Sequence, residues 1–291
     1  MDGLLDQDLF SMIALRARGR IQGVRPGTHG GEGEGQGGPF TSLVSLLNHP
    51  DPRRIDVRSS LADPSETIWV RRYRPAVAAR IIVLLDASGS MAAQGRGDRW
   101  AMARCLAVGL ARAVSRSQDA FGLLVGGGNR ASAPLWPPAR RRGLAEEVDA
   151  ALAEVTPEGK GWGGFLDAAE RVPVSRSIVL LLSDFAAPMA EVERLLDRLA
   201  GHDLHPFVLR DSGLETPPSR FGLLPLEDLE GGGRRMVLMR PALALRWREA
   251  AEARRRRLDG CFVARGLSPV EIVDQIDVDH LFEALSGYGG T

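Results

Sequence analysis

The sequence predicts a doubly wound α/β domain with a mostly parallel sheet. Two apolar segments, residues 81–85 ("IIVLL") and 178–182 ("IVLLL"), have the length and continuous hydrophobicity of strands that are buried on both faces. Segments of helical patterning separate the strand candidates, as the crossovers of parallel strands require. The composition, 44% hydrophobic and 25% charged over 291 residues, is that of an ordinary globular protein.

The predicted domain spans residues 78–212 and alternates strands with helices. Each strand candidate is a short apolar run, and each helix candidate repeats its apolar residues at helical spacing. In chain order the elements are strand 81–85, helix 99–116 (with Asp98 as a cap candidate), strand 120–125, helices 144–155 and 165–171, strand 177–183, helix 190–200 and strand 205–210. Because such crossovers are right-handed, we expect helices on both faces of the sheet.

Two further segments flank this domain. Residues 1–77 comprise a predicted helix at 5–18, a glycine-rich loop at 26–39 and an exposed strand within 65–75, where side chains alternate with the period of a strand. The glycine-rich loop contains a formal G-x-G-x-x-G, but a dinucleotide site would need a strand before it and a helix after it. Residues 213–291 are expected to form a hairpin at the sheet edge, within 221–240, then helices at 242–263 and 279–285.

Charge and cysteine content narrow the class of protein. The chain has 37 basic and 37 acidic residues, a balance that favours neither nucleic acid nor an anionic membrane as a partner. The spacing of Cys105 and Cys261 fits neither a metal knuckle nor a disulfide framework, so both are expected to be core thiols in a reducing compartment. We see no signal peptide and no membrane-spanning run, and therefore expect a cytoplasmic protein that reaches a membrane only through partners.

Four polar side chains are expected to meet at the carboxyl edge of the sheet. Asp86, Ser88 and Ser90 follow the first strand in the pattern D-x-S-x-S, and Asp184 follows strand 177–183. Ligands of open α/β sheets bind at this edge. Carboxylate and hydroxyl oxygens are hard donors that suit Mg²⁺, so these four residues are candidate magnesium ligands. The alternative is that the same side chains only cap a helix or a turn.

Asp86 could instead be the nucleophile of a phosphohydrolase on a similar fold. That chemistry favours a second aspartate two residues later as general acid, where this chain has Ser88. Lys160 is the only lysine between Asp86 and Asp184 that could serve the phosphate. We therefore expect no enzymatic activity, with the phosphohydrolase as an alternative. A purely structural subunit, in which the two aspartates bond to loop amides, is the third interpretation.

The segment "VLLDASGSM" resembles the metal-ion-dependent adhesion site of von Willebrand factor A domains. In that family D-x-S-x-S follows the first strand, an aspartate follows the fourth strand, and a threonine from a loop completes the site. The aspartate corresponds to Asp184. In "GWGGFLDAAE" this chain has Gly163 where the threonine belongs, and the nearest threonine is Thr156. The resemblance therefore implies a partial adhesion site, incomplete at Gly163.

A wider resemblance is to the bacterial family called domain of unknown function fifty-eight. The segments "DPRRIDVRSS", "ETIWVRRYRP" and "LRDSGLETPPSRFGLLPLEDLEGG" are similar to that family's layout around a von Willebrand-like domain, over residues 20–285. The resemblance implies, as partners, a MoxR-type AAA+ ATPase and other von Willebrand factor A-domain proteins, in the assembly or activation of another enzyme complex. It extends to the MxaS-type member of methanol oxidation clusters, which implies methanol dehydrogenase as the client.

We therefore predict a non-enzymatic protein-interaction module with a chaperone-like role. Two features leave alternatives open. Arg54, Asp56 and Arg58 alternate as they would in a strand paired with its neighbours, or as they would on a docking surface. Trp162, in a glycine-rich loop beside the predicted site, is either an anchor for a partner or a buried lid.

Overall fold

The computed structural model describes most of the chain from residue 40 onward. The described residues are 40–48, 50–73, 80–116, 119–127, 135–141, 143–217, 219, 221–228, 233–277, 279 and 281. The predicted helix 5–18, the glycine-rich loop 26–39 and most of helix 279–285 lie outside them. The described residues fall into two compact units, a small one within 25–78 and a large one from 79 onward.

The small unit is built on a two-stranded antiparallel ribbon, β1 (Phe40–Ser45) with β2 (Trp69–Tyr73). Between the strands lie a 3₁₀ turn (Pro52–Arg54) and the short helix α1 (Val57–Leu61). Asp56 caps α1 by accepting a hydrogen bond from the Ser59 backbone N–H at 2.9 Å, and it also accepts one from Arg71 Nε at 2.6 Å. These two bonds, the Ser59 amide first, lower the pKa of Asp56. The segment with the alternating charges is thus a turn and a helix cap, not a strand, and of its three charged residues Asp56 pairs with the neighbouring strand β2 through Arg71.

The large unit contains a six-stranded sheet, and five of its strands are parallel. In spatial order it runs β10 (Val270–Val273), β7 (Asp203–Arg210), β6 (Ile178–Ser183), β3 (Arg80–Asp86), β4 (Ala120–Gly126) and the antiparallel edge strand β5 (Leu135–Ala139). The helices are α2 (Arg99–Arg116), α3 (Leu144–Ala153), α4 (Gly163–Glu170), α5 (Met189–Arg198), α6 (Ser212–Glu215) and α7 (Pro241–Ala264). This sheet confirms the predicted fold class.

Both faces of the sheet are buried, which explains the continuous apolar run of β3. Successive side chains of a strand point to opposite faces. Ile81, Val83 and Leu85 accordingly pack in the core formed with α2 and α3. Ile82 and Leu84 belong to the opposite core, formed with α4, α5 and α7. The sheet is therefore the middle layer of three, and its carboxyl edge is open at the strand ends.

The C-terminal part of the large unit differs from the prediction. The predicted hairpin exists, as β8 (Gly222–Asp228) with β9 (Gly233–Met239), but it forms its own two-stranded sheet and is not added to the edge of the large one. The strand that occupies that edge is β10, only four residues long and absent from the prediction. On the other edge β5 contains two prolines ("LWPPA"), which only an edge strand tolerates because one side of it needs no N–H donors.

The two cysteines have different environments. Cys261 is buried in α7, as predicted, whereas Cys105 is exposed on α2, so the prediction of a core thiol was wrong there. The helical run around Cys105 has apolar residues nearly all round, which hid the fact that position 105 faces solvent. Among the described helices, none combines the length and the apolar character needed to cross a bilayer.

Candidate functional site at the carboxyl edge of the sheet

The parallel pairing of β3 with β6 places the four predicted residues side by side. Asp86 ends β3, and Asp184 directly follows β6. The 3₁₀ turn Gly89–Ala92, for which Ser88 is the N-cap position, holds Ser90 above them. Ser88 Oγ and Ser90 Oγ are 3.1 Å apart, and Ser90 Oγ donates to Asp184 Oδ1 at 3.2 Å. The structure thus brings Asp86, Ser88, Ser90 and Asp184 into one cluster.

Asp86 is the buried centre of this cluster. Its Oδ1 accepts a hydrogen bond from the Ser88 backbone N–H at 2.9 Å. Its Oδ2 accepts two more, from Ser183 Oγ at 2.5 Å and from Trp162 Nε1 at 2.9 Å. Burial, and then the nearby charge of Asp184, raise the pKa of Asp86 to about 6. Since both oxygens are engaged inside the protein, Asp86 is placed to organise loops and poorly placed to attack a substrate.

Trp162 is the lid over Asp86. Its side chain is 2% exposed, and its ring packs against Phe165 and Phe185 at centroid distances of 5.1 and 5.8 Å. A residue this buried cannot anchor a partner, so that interpretation was wrong and the buried lid is correct. Sequence reasoning missed its hydrogen bond to Asp86. The signal for it was an indole N–H next to a strand-end carboxylate, because a buried tryptophan N–H requires an acceptor.

A second glycine-rich loop, residues 156–162 before α4, lies against the D-x-S-x-S loop and is called the 156–162 loop below. The Glu158 backbone N–H donates to the Ala87 carbonyl at 3.1 Å, and the Gly89 N–H donates to the Gly159 carbonyl at 3.3 Å. Thr156, the nearest threonine, is exposed at the start of this loop. Gly163 begins α4 and has no side chain to offer. The position that would complete an adhesion site therefore has no oxygen donor from either residue.

Arg99 is a member of the cluster that sequence reasoning missed. It is the first residue of α2 and is 8% exposed. Its Nη1 donates to Asp184 Oδ2 at 2.5 Å, and its Nη2 donates to the carbonyl oxygen of Ser90. A cation at the N-terminus of a helix is unfavourable towards the helix dipole. That placement was the signal, since an arginine there needs a specific acidic partner.

A second arginine braces the loop after β6 from the other side. Arg254 of α7 donates from Nη2 to the carbonyl oxygens of Phe185, at 2.6 Å, and of Ala187. Burial lowers the pKa of Arg254, and the charge of Asp184 opposes that effect. Asp184 Oδ1 also accepts the Ala186 backbone N–H at 3.0 Å. The 184–187 loop is therefore fixed by two guanidinium groups and a turn of its own.

The cluster is only a partial match for magnesium. The spacing of Ser88 Oγ, Ser90 Oγ and Asp184 Oδ1, 3.1 and 3.2 Å, is close to the roughly 3 Å between neighbouring ligands of an octahedral Mg²⁺. However, both oxygens of Asp86 already accept hydrogen bonds from protein donors, and Arg99 already pairs with the charge of Asp184. No cluster of three or more His, Cys, Asp or Glu able to hold a metal occurs among the described residues. As placed, these residues do not fit a divalent cation.

Asp211, at the end of β7, fixes the loop that connects the cluster to α2. Its Oδ2 accepts the backbone N–H groups of Gly95 and Gly97 at 2.6 and 3.3 Å. Its Oδ1 accepts those of Arg96 and Gly213 at 2.9 and 2.8 Å. Burial alone would raise the pKa of Asp211, but the four N–H donors outweigh burial and hold the pKa below its ordinary value.

We expect Asp211→Asn to lower the free energy of unfolding by about 2 kcal/mol at pH 7, because an amide presents one acceptor where the carboxylate presents two. The folded-state pKa is depressed, so the stabilisation is full above a pH of about 4 and is lost as the pH falls through the folded pKa. The difference between the two proteins should therefore close in acid. Urea titrations between pH 3 and 7 measure it.

Asp98→Asn is the matched control for this prediction. Asp98 accepts the Ala101 backbone N–H at 2.8 Å near the start of α2, and asparagine serves equally well as a helix cap. We expect Asp98→Asn to change the free energy of unfolding by no more than about 0.5 kcal/mol. Because Asp211 is intact in this variant, its contribution to stability should be that of the wild type. Equal losses in both variants, or a loss for Asp211→Asn that does not diminish at all as the pH falls below about 4, would contradict the account of Asp211.

These features define a class of protein. A mostly parallel sheet with D-x-S-x-S after one strand and an aspartate after its neighbour is the arrangement of a von Willebrand factor A-like domain. The chain belongs to the family described as proteins of unknown function DUF58, whose family model matches residues 51–258. A protein described as an uncharacterized protein in the moxR 3' region of Paracoccus denitrificans is 38% identical over 104 residues, which are 36% of this chain and 99% of that protein.

Solved structures of similar proteins overlap with this chain only loosely. BatB from Bacteroides thetaiotaomicron has a TM-score of 0.40 at 15% identity, over 72% of this chain and 98% of that one. An aerotolerance-related membrane protein from Bacteroides fragilis has a TM-score of 0.37 at 15% identity, over 72% and 100%. The SpRpn10 VWA domain has a TM-score of 0.37 at 11% identity, over 73% and 96%. The fold assignment depends on the sheet order and connections.

Proposed function

We propose that this protein is a non-enzymatic interaction module that acts with a MoxR-type AAA+ ATPase in the cytoplasm. Its role is chaperone-like, in the assembly or activation of another enzyme complex. Association of a relative with the moxR 3' region supports the choice of ATPase. The observation that carries the non-enzymatic part is the state of Asp86, which is fully buried with both carboxylate oxygens engaged by protein donors.

The exposed surface around the cluster is the proposed contact area. Gln94 and Arg96 are exposed on the loop before α2, and Glu158 and Lys160 are exposed on the 156–162 loop. Both loops are held by backbone N–H donors, which bond to the Asp211 carboxylate in the first loop and to the Ala87 carbonyl in the second. A pair of rigid polar loops at the open edge of a sheet is a typical place for protein recognition. We call this surface the loop rim.

The finer parts of the proposal come from family resemblance. Other von Willebrand factor A-domain proteins are the second class of partner, and methanol dehydrogenase is the proposed client. A metal-dependent variant, in which Mg²⁺ on Ser88, Ser90 and Asp184 receives a partner carboxylate, would need Arg99 to leave Asp184. The cluster as it stands favours an interaction site that does not include the ion.

A purely structural cluster is the second candidate, and a specific observation favours it. Asp86 accepts the Ser88 amide and Asp184 accepts the Ala186 amide, as that interpretation predicts. In this case the loop rim would have no partner. The two candidates differ in whether rim side chains matter to anything except the protein's own stability.

We expect the double variant Arg96→Glu with Lys160→Glu to bind the MoxR-type ATPase encoded nearest to it about tenfold more weakly than the wild type. Both side chains are exposed, so reversal of their charge changes the rim without removing a packing contact. Calorimetric titration of the full chain with the ATPase in its nucleotide-bound form measures the affinity. Thermal melting of the variant checks that it is folded.

Arg176→Glu is the matched control, since Arg176 is exposed just before β6, at the opposite edge of the sheet. It should bind like the wild type. If the wild type, the double variant and Arg176→Glu bind the ATPase with equal affinity, the loop rim is not the contact area and that part of the proposal is overturned. Absence of any binding by the wild type would overturn the role with the ATPase.

A further inference from the structure

We infer that Arg99 takes the place of the divalent cation, so that this site is complete without a metal. An adhesion-type ion would join two loops, the one after β3 and the one after β6. The Arg99 guanidinium joins the same two loops, through the Ser90 carbonyl on one side and the Asp184 carboxylate on the other. The inference deepens the proposed function: that a partner binds without a metal rests on the proposed function. The replacement of the ion by Arg99 can be tested without any partner.

Burial makes the Arg99–Asp184 pair a fixed part of the site. The side chains are 10% and 2% exposed, and the Nη1–Oδ2 distance is 2.5 Å. A surface pair of this kind would be screened and would exchange easily with a dissolved ion. A buried pair resists exchange, because removal of one partner leaves the other charge uncompensated away from water.

The charges around the cluster also oppose an additional cation. Asp184 Oδ1 accepts a hydrogen bond from Ser90 Oγ, which lies 3.1 Å from Ser88 Oγ, and Arg99 pairs with the same carboxylate. Arg254 adds a second positive charge beside the same loop. A divalent ion next to Ser90 Oγ would therefore meet a carboxylate, that of Asp184, whose charge is already offset by two guanidinium groups.

The missing donor at position 163 agrees with this reading. A metal at this site would have to bind a water in place of the oxygen that Gly163 does not supply and that the exposed Thr156 does not replace, which would weaken its binding. Asp86 is likewise committed to three protein donors. An arginine in place of an ion needs neither of these ligands, because a guanidinium requires only acceptors around its N–H groups. Both Nη atoms of Arg99 have such acceptors, whereas its buried Nε has none among the described residues.

The test is a metal titration of the full chain, which needs no partner protein. We expect the thermal midpoint of the wild type to be the same within about 1 °C in MgCl₂ and in EDTA, and Mn²⁺ to bind no more tightly than about 1 mM. In Arg99→Gln the guanidinium charge is removed and the Asp184 carboxylate is free. We expect this variant to melt at a lower temperature in EDTA and to recover about 3 °C in MgCl₂.

Arg112→Gln, on the exposed face of the same helix, is the control and should behave as the wild type in both buffers. Wild-type Mn²⁺ binding in the micromolar range that Asp184→Asn abolishes would overturn the inference. A folded Arg99→Gln variant that does not respond to Mg²⁺ would overturn it too. If Arg99→Gln does not fold, the wild-type titration alone decides. Failure of the ATPase to bind would affect only the proposed function.

Discussion

We expect Asp86→Ala to lower the free energy of unfolding by about 2 kcal/mol at pH 7, because the substitution removes the acceptor of three hydrogen bonds at a fully buried position. The loss is smaller than three bonds alone would give, since alanine also relieves the cost of the buried charge that raises the pKa of Asp86. The Trp162 indole N–H can only donate, so alanine leaves it buried without a partner. Ser183 is also fully buried, and its hydroxyl would have to find another acceptor. The Ser88 amide loses the bond that turns the D-x-S-x-S loop. Urea unfolding at pH 7 measures the sum.

Asp149→Ala is the control of the same chemistry at the surface. Asp149 pairs with Arg104 at 3.4 Å, and its side chain is about half exposed. An exposed pair of this kind contributes less than about 0.5 kcal/mol. A loss for Asp86→Ala no greater than that for Asp149→Ala would mean that the buried network does not stabilise the site. Trp162→Phe, which removes one donor and leaves the carboxylate, is expected to cost about 1 kcal/mol.

The parts of the fold that could be predicted are those whose signal is local. Continuous apolar runs identified β3 and β6, since parallel strands covered on both faces have no polar side. Because the carboxyl ends of parallel strands lie at one edge of a sheet, Asp86 and Asp184 were predicted to lie at that edge. Their strands, β3 and β6, are neighbours in the sheet. Whether the four polar residues bind a metal stays a prediction that only titration can decide.

The parts that could not be predicted depend on contacts between distant positions. Arg99 reaches Asp184 across 85 residues of sequence, and no local pattern specifies that pairing. The strand β10 is four residues long, and its place beside β7 is fixed only when the chain returns to the sheet. The hairpin was predictable from its turn, but its separation from the main sheet was not, because turn chemistry sets register within a hairpin and not its docking.

We expect the buried network to make this site stiff. Asp86 ties together β3, the loop after it and the indole before α4, while Arg99 and Arg254 tie the loop after β6 to α2 and α7. If one of these hydrogen bonds breaks, a buried polar group loses its partner, so independent movement of a single loop is unfavourable. A rim of exposed side chains on such a base keeps its shape before a partner arrives, which reduces the ordering cost of binding.

We expect Gly164→Ala to lower the free energy of unfolding by about 3 kcal/mol or more, because there is no room for a methyl group at this position. A Cβ on Gly164 would lie 1.7 Å from the carbonyl oxygen of Gly127. Since the obstacle is backbone, no side-chain rotation relieves it, and α4 would have to move away from the end of β4 together with Trp162. Urea unfolding measures the loss, and near-ultraviolet circular dichroism of the tryptophans reports the displacement.

Gly260→Ala is the matched control, within α7, where a Cβ meets nothing within 4 Å. Alanine is the better helix former, so this variant should be about 0.5–1 kcal/mol more stable than the wild type. The same chemical change thus has opposite signs at two helical positions, and only the close approach of α4 to β4 distinguishes them. A Gly164→Ala variant as stable as the wild type would mean that the two glycine backbones are not in contact and that Trp162 is not held over Asp86 in this way.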